Sequence, residues 1–153
     1  MAEYKWKSGS RHSVSARIAA EVCGDLEAQG RLTARNLVDV SRPEDAPLHG
    51  EFTWADDEAA EHWREHEARN IINAVVVVRE DAKEPVRKFF TLSVSQPEYH
   101  DIDKIIVQED TRTALLQKAL GELIAFQKKY AGLSELAGLF AAIEEAKTQL
   151  QSA

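Results

Sequence analysis

Cysteine occurs once, at Cys23, in a chain of 153 residues. An intrachain disulfide is thereby excluded, and a reducing compartment is the natural setting. Within a helical pattern a lone thiol reads as a small buried hydrophobe, not a nucleophile. Long apolar runs are missing too: none approaches the roughly twenty residues a membrane span requires. The opening MAEYKWKSGSRHS holds no apolar stretch of signal-peptide type. The expectation is a chain neither secreted by such a signal nor set in a bilayer. No glycine-rich loop links a strand to a helix, so a nucleotide-binding fold finds no support. Positive charge is also short. The formal net charge of −7 repels phosphate backbones unless basic groups are segregated, which argues against a protein that coats DNA.

What the chain does contain suits one domain long enough to bury a core. Residues 1–12 carry Lys5, Lys7 and Arg11 beside Tyr4 and Trp6, and Gly9 lies between serines. They read as a flexible basic arm. Its cations could neutralise phosphates or acidic protein groups, its rings could stack on bases, and the plainer reading packs the rings back on the domain. Ser13 is positioned to cap a helix that runs to about Gln29 and stops at Gly30, with Val14, Ile18, Val22 and Leu26 as its apolar stripe. Thr33 caps a second helix from Ala34, with Leu32 and Leu37 spaced as a hydrophobic staple. Pro43 ends that helix near Ser41. A short turn follows between Pro47 and Gly50.

Thr53 and Asp56 have the spacing of a capping box, and a long helix is expected from Trp54 to about Asn73. Ala60, Trp63, Ile71, Ile72, Ala74 and Val75 form its apolar face. Its polar faces hold six carboxylates against Arg64 and Arg69, a local charge of −4 that a duplex would repel. His62-Trp63-Arg64-Glu65-His66 spells H-x-x-E-H, in which two histidines could share a metal and the glutamate act as a base. The plainer reading, a solvated face of exposed pairs, is preferred because no third ligand is identifiable. Val75 to Val78 then reads as a buried strand that starts where the helix ends.

Several of these residues carry a resemblance. Leu32-Thr33, Leu37-Val38, Pro47-Leu48-His49, Phe52, Trp54-Ala55-Asp56, Ala59-Ala60, Trp63-Arg64, Glu67-Ala68-Arg69 and Ile71 to Val78 resemble a family of small uncharacterised bacteriophage and prophage proteins. Departures from its pattern are Ala55 for Asp, Trp63 for Tyr, Glu67 for Gln and Asn73 for Arg. The close match covers about a third of the chain. The resemblance implies a source, in the host cytoplasm or associated with a virion, and no activity, cofactor or catalytic residue.

Beyond Val78, Arg79 to Pro85 is turn-like. Val86 to Ser95 is extended, with Phe90, Leu92 and Val94 alternating against Phe89, Thr91 and Ser93. This strand should pair with Val75–Val78 as an antiparallel hairpin and close at Pro97. Tyr99 to Val107 would add a third strand or an edge. Two apolar helices follow, from about Asp110 to Tyr130 and from Ser134, broken at Gly132. Leu115, Leu116, Ala119, Leu120, Leu123, Ile124 and Phe126 mark the first, and Leu136, Leu139, Phe140, Ile143 and Leu150 the second.

The expected fold is α+β. It comprises an N-terminal helical cluster (13–74), a small antiparallel sheet (75–107) and a C-terminal antiparallel helical hairpin (108–153), all one domain behind the flexible arm. The hairpin should cover the sheet, and surplus apolar surface would pair with a second copy. The expected function is non-enzymatic: an interaction or structural protein, without cofactor, metal, membrane or small-molecule substrate. Its contacts would run through Lys5, Trp6, Lys7 and Arg11 of the arm and Leu139, Phe140 and Ile143 of the hairpin. The alternative is a helix-turn-helix DNA-binding regulator or packaging accessory, with Arg31, Arg35 and Arg42 on phosphates and His49 near the bases. A zinc hydrolase built on the H-x-x-E-H residues stands as a third reading.

Overall fold

A computed structural model of the chain describes residues 2–54 and 58–152. The elements run β1 (Glu3–Trp6), α1 (Ala16–Ala28), α2 (Ala34–Val40), a 3-10 turn (His49–Glu51), α3 (Glu58–Ala74), β2 (Val75–Val78), β3 (Val86–Arg87), β4 (Phe89–Ser93), β5 (Gln96–Asp101), α4 (Ile102–Val107), α5 (Glu109–Lys129), a second 3-10 turn (Ser134–Leu136) and α6 (Ala137–Gln151). The fold is α+β, with N-terminal helices, small antiparallel sheets and C-terminal helices. The chain divides into two compact units, Met1–Ile105 and Ile106–Ala153, with the boundary inside α4.

Local signals set the first unit's helices. Thr33 caps α2, its hydroxyl accepting from the Asn36 N–H at 3.0 Å, and Leu32 and Leu37 are both fully buried. Burial of one such leucine contributes about 2 kcal/mol. Ser41 ends the helix, as Pro43 requires. Gly30 takes a φ of +68° after α1, a conformation that favours glycine. The cap of α1 is Ser15, not Ser13, because the Ser13 hydroxyl and amide are both committed to Glu51. The centre of the stripe moves accordingly. Ala16, Ala19, Ala20, Cys23 and Leu26 are buried, while Val14, Ile18 and Val22 flank them half-buried. Small side chains at the centre let α1 lie close to its neighbours.

α3 corrects two expectations. Trp54 precedes the described helix and Asp56 lies outside the described residues, as do Ala55 and Asp57. Trp63 is 54% exposed, whereas Arg64 one position on is buried. Arg64, Ala68, Ile71, Ile72 and Val75 line the inner face. An indole on the helix surface keeps its N–H satisfied, here by Glu67 at 2.8 Å, so the arginine takes the inward position.

The central strand is β2, which follows α3 with no intervening loop and whose first three valines are buried. Its neighbours are β1 on one side and β3 on the other. The N-terminal arm is therefore a strand, antiparallel to β2, with Lys5 opposite Val76 and Trp6 opposite Val75. An otherwise open edge of buried valines offers unpaired backbone groups, and residues 3–6 satisfy them. The expected hairpin with β2 is reduced to Val76↔Arg87 and Val77↔Val86. Beyond it β4 pairs with β5 in a separate two-stranded sheet. Lys88 joins the sheets: its N–H donates to the Val75 carbonyl and its carbonyl accepts from Ile102. Phe89, not the Phe90, Leu92 and Val94 set, faces the core, and Val94 lies fully exposed at the turn. Pro97 sits inside β5 rather than ending β4, and residues 102–107 are helical. β5 is tied back by the Tyr99 N–H, which donates to the Leu32 carbonyl.

In the second unit, α5 and α6 pack on one another across a short turn. Glu109 and Asp110 lie in the first turn of α5 and Lys128 and Lys129 in its last, opposing the helix dipole at both ends.

Candidate functional site

In the first unit β1 leads directly into a cavity. Trp6 stacks on His12 with ring centroids 3.9 Å apart, and its indole N–H donates to the Val14 carbonyl at 2.8 Å. Between them the chain turns at Gly9, where φ is +86° and Ser10 N–H closes on the Lys7 carbonyl. The Lys7 N–H donates to the Ala74 carbonyl, which anchors the turn against the end of α3. His12 Nδ1 meets Glu51 Oε2 at 2.8 Å, and Glu51 also accepts from Ser13 and from the Val14 N–H. Burial pushes the Glu51 carboxyl up. The hydrogen bonds from Ser13, His12 and Val14 more than offset that, so it titrates below the ordinary glutamate value.

The cavity so formed has a volume of about 340 Å³ and is lined by Lys7, Ser10, Arg11, His12, Asn70, Asn73 and Ala74. Two of the four expected arm contacts, Lys7 and Arg11, are thus gathered in one place. Lys5 instead pairs with Glu3 at 3.0 Å, and Trp6 packs on His12 and bonds Val14. Asn70 and Asn73, one helical turn apart on α3, carry no motif. Only the pairing of β1 with β2 brings the basic turn to them.

His49 and Trp54, two residues of the resemblance, sit in a second cluster. His49 stacks on Trp54 with 4.8 Å between centroids, and the Trp54 N–H donates to the His49 carbonyl at 2.9 Å. The guanidinium groups of Arg42 and Arg64 lie over the same indole at 5.9 and 5.4 Å. Glu61 bridges both arginines, and Arg64 also donates to the Thr53 carbonyl at 3.1 Å. Its carboxyl is held below the usual range, first by the hydrogen bond from Arg64 and then by Arg42. Among the proposed DNA contacts, then, Arg42 and His49 are turned onto Trp54. Arg35 lines a different cavity of about 470 Å³ with Thr33, Arg69 and Tyr99. Arg31 is exposed, its guanidinium 3.5 Å from Gln29.

His62 and His66 are exposed on α3. His66 lies against Trp63, and Glu65 pairs with Arg69 at 3.1 Å. Among the described residues no three His, Cys, Asp or Glu side chains are grouped as a metal would need. Cys23 is buried, and burial pushes its thiol up to about 12. It is inert as a nucleophile.

In the hairpin the expected contacts divide. Leu139 is 46% exposed, Phe140 is half-buried, and Ile143 is 3% exposed and hence interior. Ile143 falls on the inner face because it is the middle of the apolar set on α6. α5 also carries exposed apolar side chains, with Leu116 and Leu123 each 41% exposed and Phe126 37%. Among the described residues α5 and α6 bury one side chain each, Leu120 and Ile143. No helix of the described residues is long and apolar enough to cross a membrane. Compared with protein-family models, curated proteins and solved structures, the chain matches none.

Proposed function

We propose that the protein works by binding rather than catalysis, as an interaction protein that self-associates through α5. One observation carries this reading. Leu116, Ala119, Leu123, Phe126 and Tyr130 follow one another at alternating intervals of three and four residues, the spacing of a coiled-coil seam. Its three large members on the helix proper are exposed, and the rings of Phe126 and Tyr130 contact each other along it at 4.8 Å. A two-helix hairpin has no third or fourth helix to cover such a stripe. Two hairpins would complete a four-helix arrangement.

The occupant that fits is a second copy of this chain. When α5 lies antiparallel on its twin about a two-fold axis, Leu123 meets the partner's Phe126 and Ala119 meets the partner's Tyr130. Glu122, just before Leu123, then faces the partner's Lys129, and the symmetry makes that pair twice. The resemblance to small phage and prophage proteins agrees with an accessory protein that acts by contact in the host cytoplasm or on the virion.

Light scattering over a concentration series tests the reading. The native chain should rise in mass toward a dimer, and Leu123→Asp should hold it at monomer mass with its helical circular dichroism intact. A native chain that stays monomeric at millimolar concentration would end the proposal.

A further inference from the structure

The cavity beside β1 carries a second inference, independent of self-association. In a chain of net charge −7, this cavity is lined by two cations and, among the described residues, no carboxylate. Neither Lys7 nor Arg11 has an acidic partner among the described residues, whereas most arginines of the same unit do. Ser10, Asn70 and Asn73 add neutral donors. Ser10 offers a hydroxyl and Asn70 a carboxamide. Asn73 accepts from Arg87 through its oxygen, which leaves its NH₂ to donate. His12 gives its Nδ1 proton to Glu51, so its Nε2 donates to an anion only in the protonated imidazolium form. The turn that presents them is anchored by the Lys7 N–H on Ala74 and by Trp6 on Val14, so the backbone that carries the donors is held in place.

A plainer role for the cations is to offset the negative end of α3, whose last turn holds no basic residue. That end is worth about half an elementary charge. Two full cations exceed it and leave the cavity positive.

We infer that this cavity is a binding site for a phosphate monoester carried on a small molecule. The shape of the donor set fits a tetrahedral dianion, with an arginine fork and an ammonium on its oxygens and amide donors completing the shell. The volume lies at the lower end of that of small-molecule sites, about 300–1,000 Å³, which leaves room for more than the phosphate.

The test is a titration of the full chain at low salt, followed by the amide and side-chain NH₂ resonances of Ser10, Asn70 and Asn73. Three probes are used: inorganic phosphate, adenosine 5′-monophosphate and adenosine. Phosphate and the monophosphate should shift these resonances, and adenosine should not. Tighter binding of the monophosphate would assign a phosphorylated organic ligand, and equal binding free phosphate. The double variant Lys7→Gln/Arg11→Gln should weaken binding at least about tenfold, the loss expected from removing charge-assisted hydrogen bonds. Asn70→Leu, which leaves the charge unchanged, should also weaken it, as general attraction to a basic surface would not. The inference is overturned if neither phosphate probe shifts the resonances up to about 10 mM, or if the affinity is unchanged in the double variant or in Asn70→Leu.

Discussion

A single carboxylate decides how the N-terminal turn is held. Glu51 accepts from the Ser13 N–H at 2.8 Å, the Ser13 hydroxyl, the Val14 N–H at 3.1 Å and His12 Nδ1. Its side chain is nearly enclosed, so those donors would be left unmatched without the charge. Because its folded value lies below the ordinary 4.5, the stabilisation it gives is complete above that pH. It is lost as pH falls through the lower folded value. Glu51→Gln should therefore cost about 2 kcal/mol at neutral pH, where a charged acceptor of several hydrogen bonds is replaced by a neutral one. In thermal melts from pH 7 to pH 3 the gap between native and variant should narrow as acid is added. Parallel curves would show that the charge contributes nothing. The same scale explains which residues misled. Trp63 and Arg64 are neighbours on α3, and hydropathy alone places the indole inside. The guanidinium goes in because Glu61 and the Thr53 carbonyl are there to meet it.

At the scale of elements, the two sheets are joined through one buried lysine. Lys88 follows β3 and precedes β4, and its ammonium reaches Asp101 at 2.9 Å and Asp103 at 3.1 Å. Burial alone would lower its pKa, but the two carboxylates reverse this and raise it. Lys88→Met removes the cation and leaves Asp101, itself mostly buried, without its partner. Breaking one side of such a pair costs about 3 kcal/mol. Urea denaturation should show that loss, and Lys88→Met/Asp101→Asn should recover part of it. A double variant no more stable than the single one would place the lysine's contribution elsewhere. Elements with strong local signals were legible: Thr33 and Pro43 bound α2 as their chemistry requires, and the four valines mark β2. β1 was not. Its four residues, Glu-Tyr-Lys-Trp, look like a solvated arm until their partner, some seventy residues away, supplies the edge. The break after Arg87 was equally hidden, because Val86 to Ser95 reads as one continuous strand.

For the whole molecule, the basic turn could be seen in sequence as charge, but not as a cavity. Asn70 and Asn73 join Lys7 and Arg11 only through the long-range pairing of β1 and β2, and no local pattern encodes that. The hairpin shows the opposite case: its apolar surplus was visible from spacing, and of the expected contacts Ile143 is interior while Leu139 stays exposed, as do Leu116, Leu123 and Phe126 of α5, the face proposed for self-association. Orientation can then be tested by charge. In the antiparallel two-fold pairing each Glu122 faces the partner's Lys129, so Glu122→Lys sets lysine against lysine twice. Dimerisation should weaken by about tenfold, since two repelled pairs at partly exposed positions are worth roughly 1 kcal/mol or more. Lys129→Glu in the same chain restores opposite charges, and Glu122→Lys/Lys129→Glu should dimerise as the native chain does. A parallel pairing would set Glu122 against Gln127 instead, and neither single change would then be rescued by the other. Sedimentation equilibrium on the four proteins separates these outcomes. Rescue at low salt that fades at high salt is the expected signature of the antiparallel arrangement, because exposed charges are screened within about one Debye length, near 10 Å at 0.1 M.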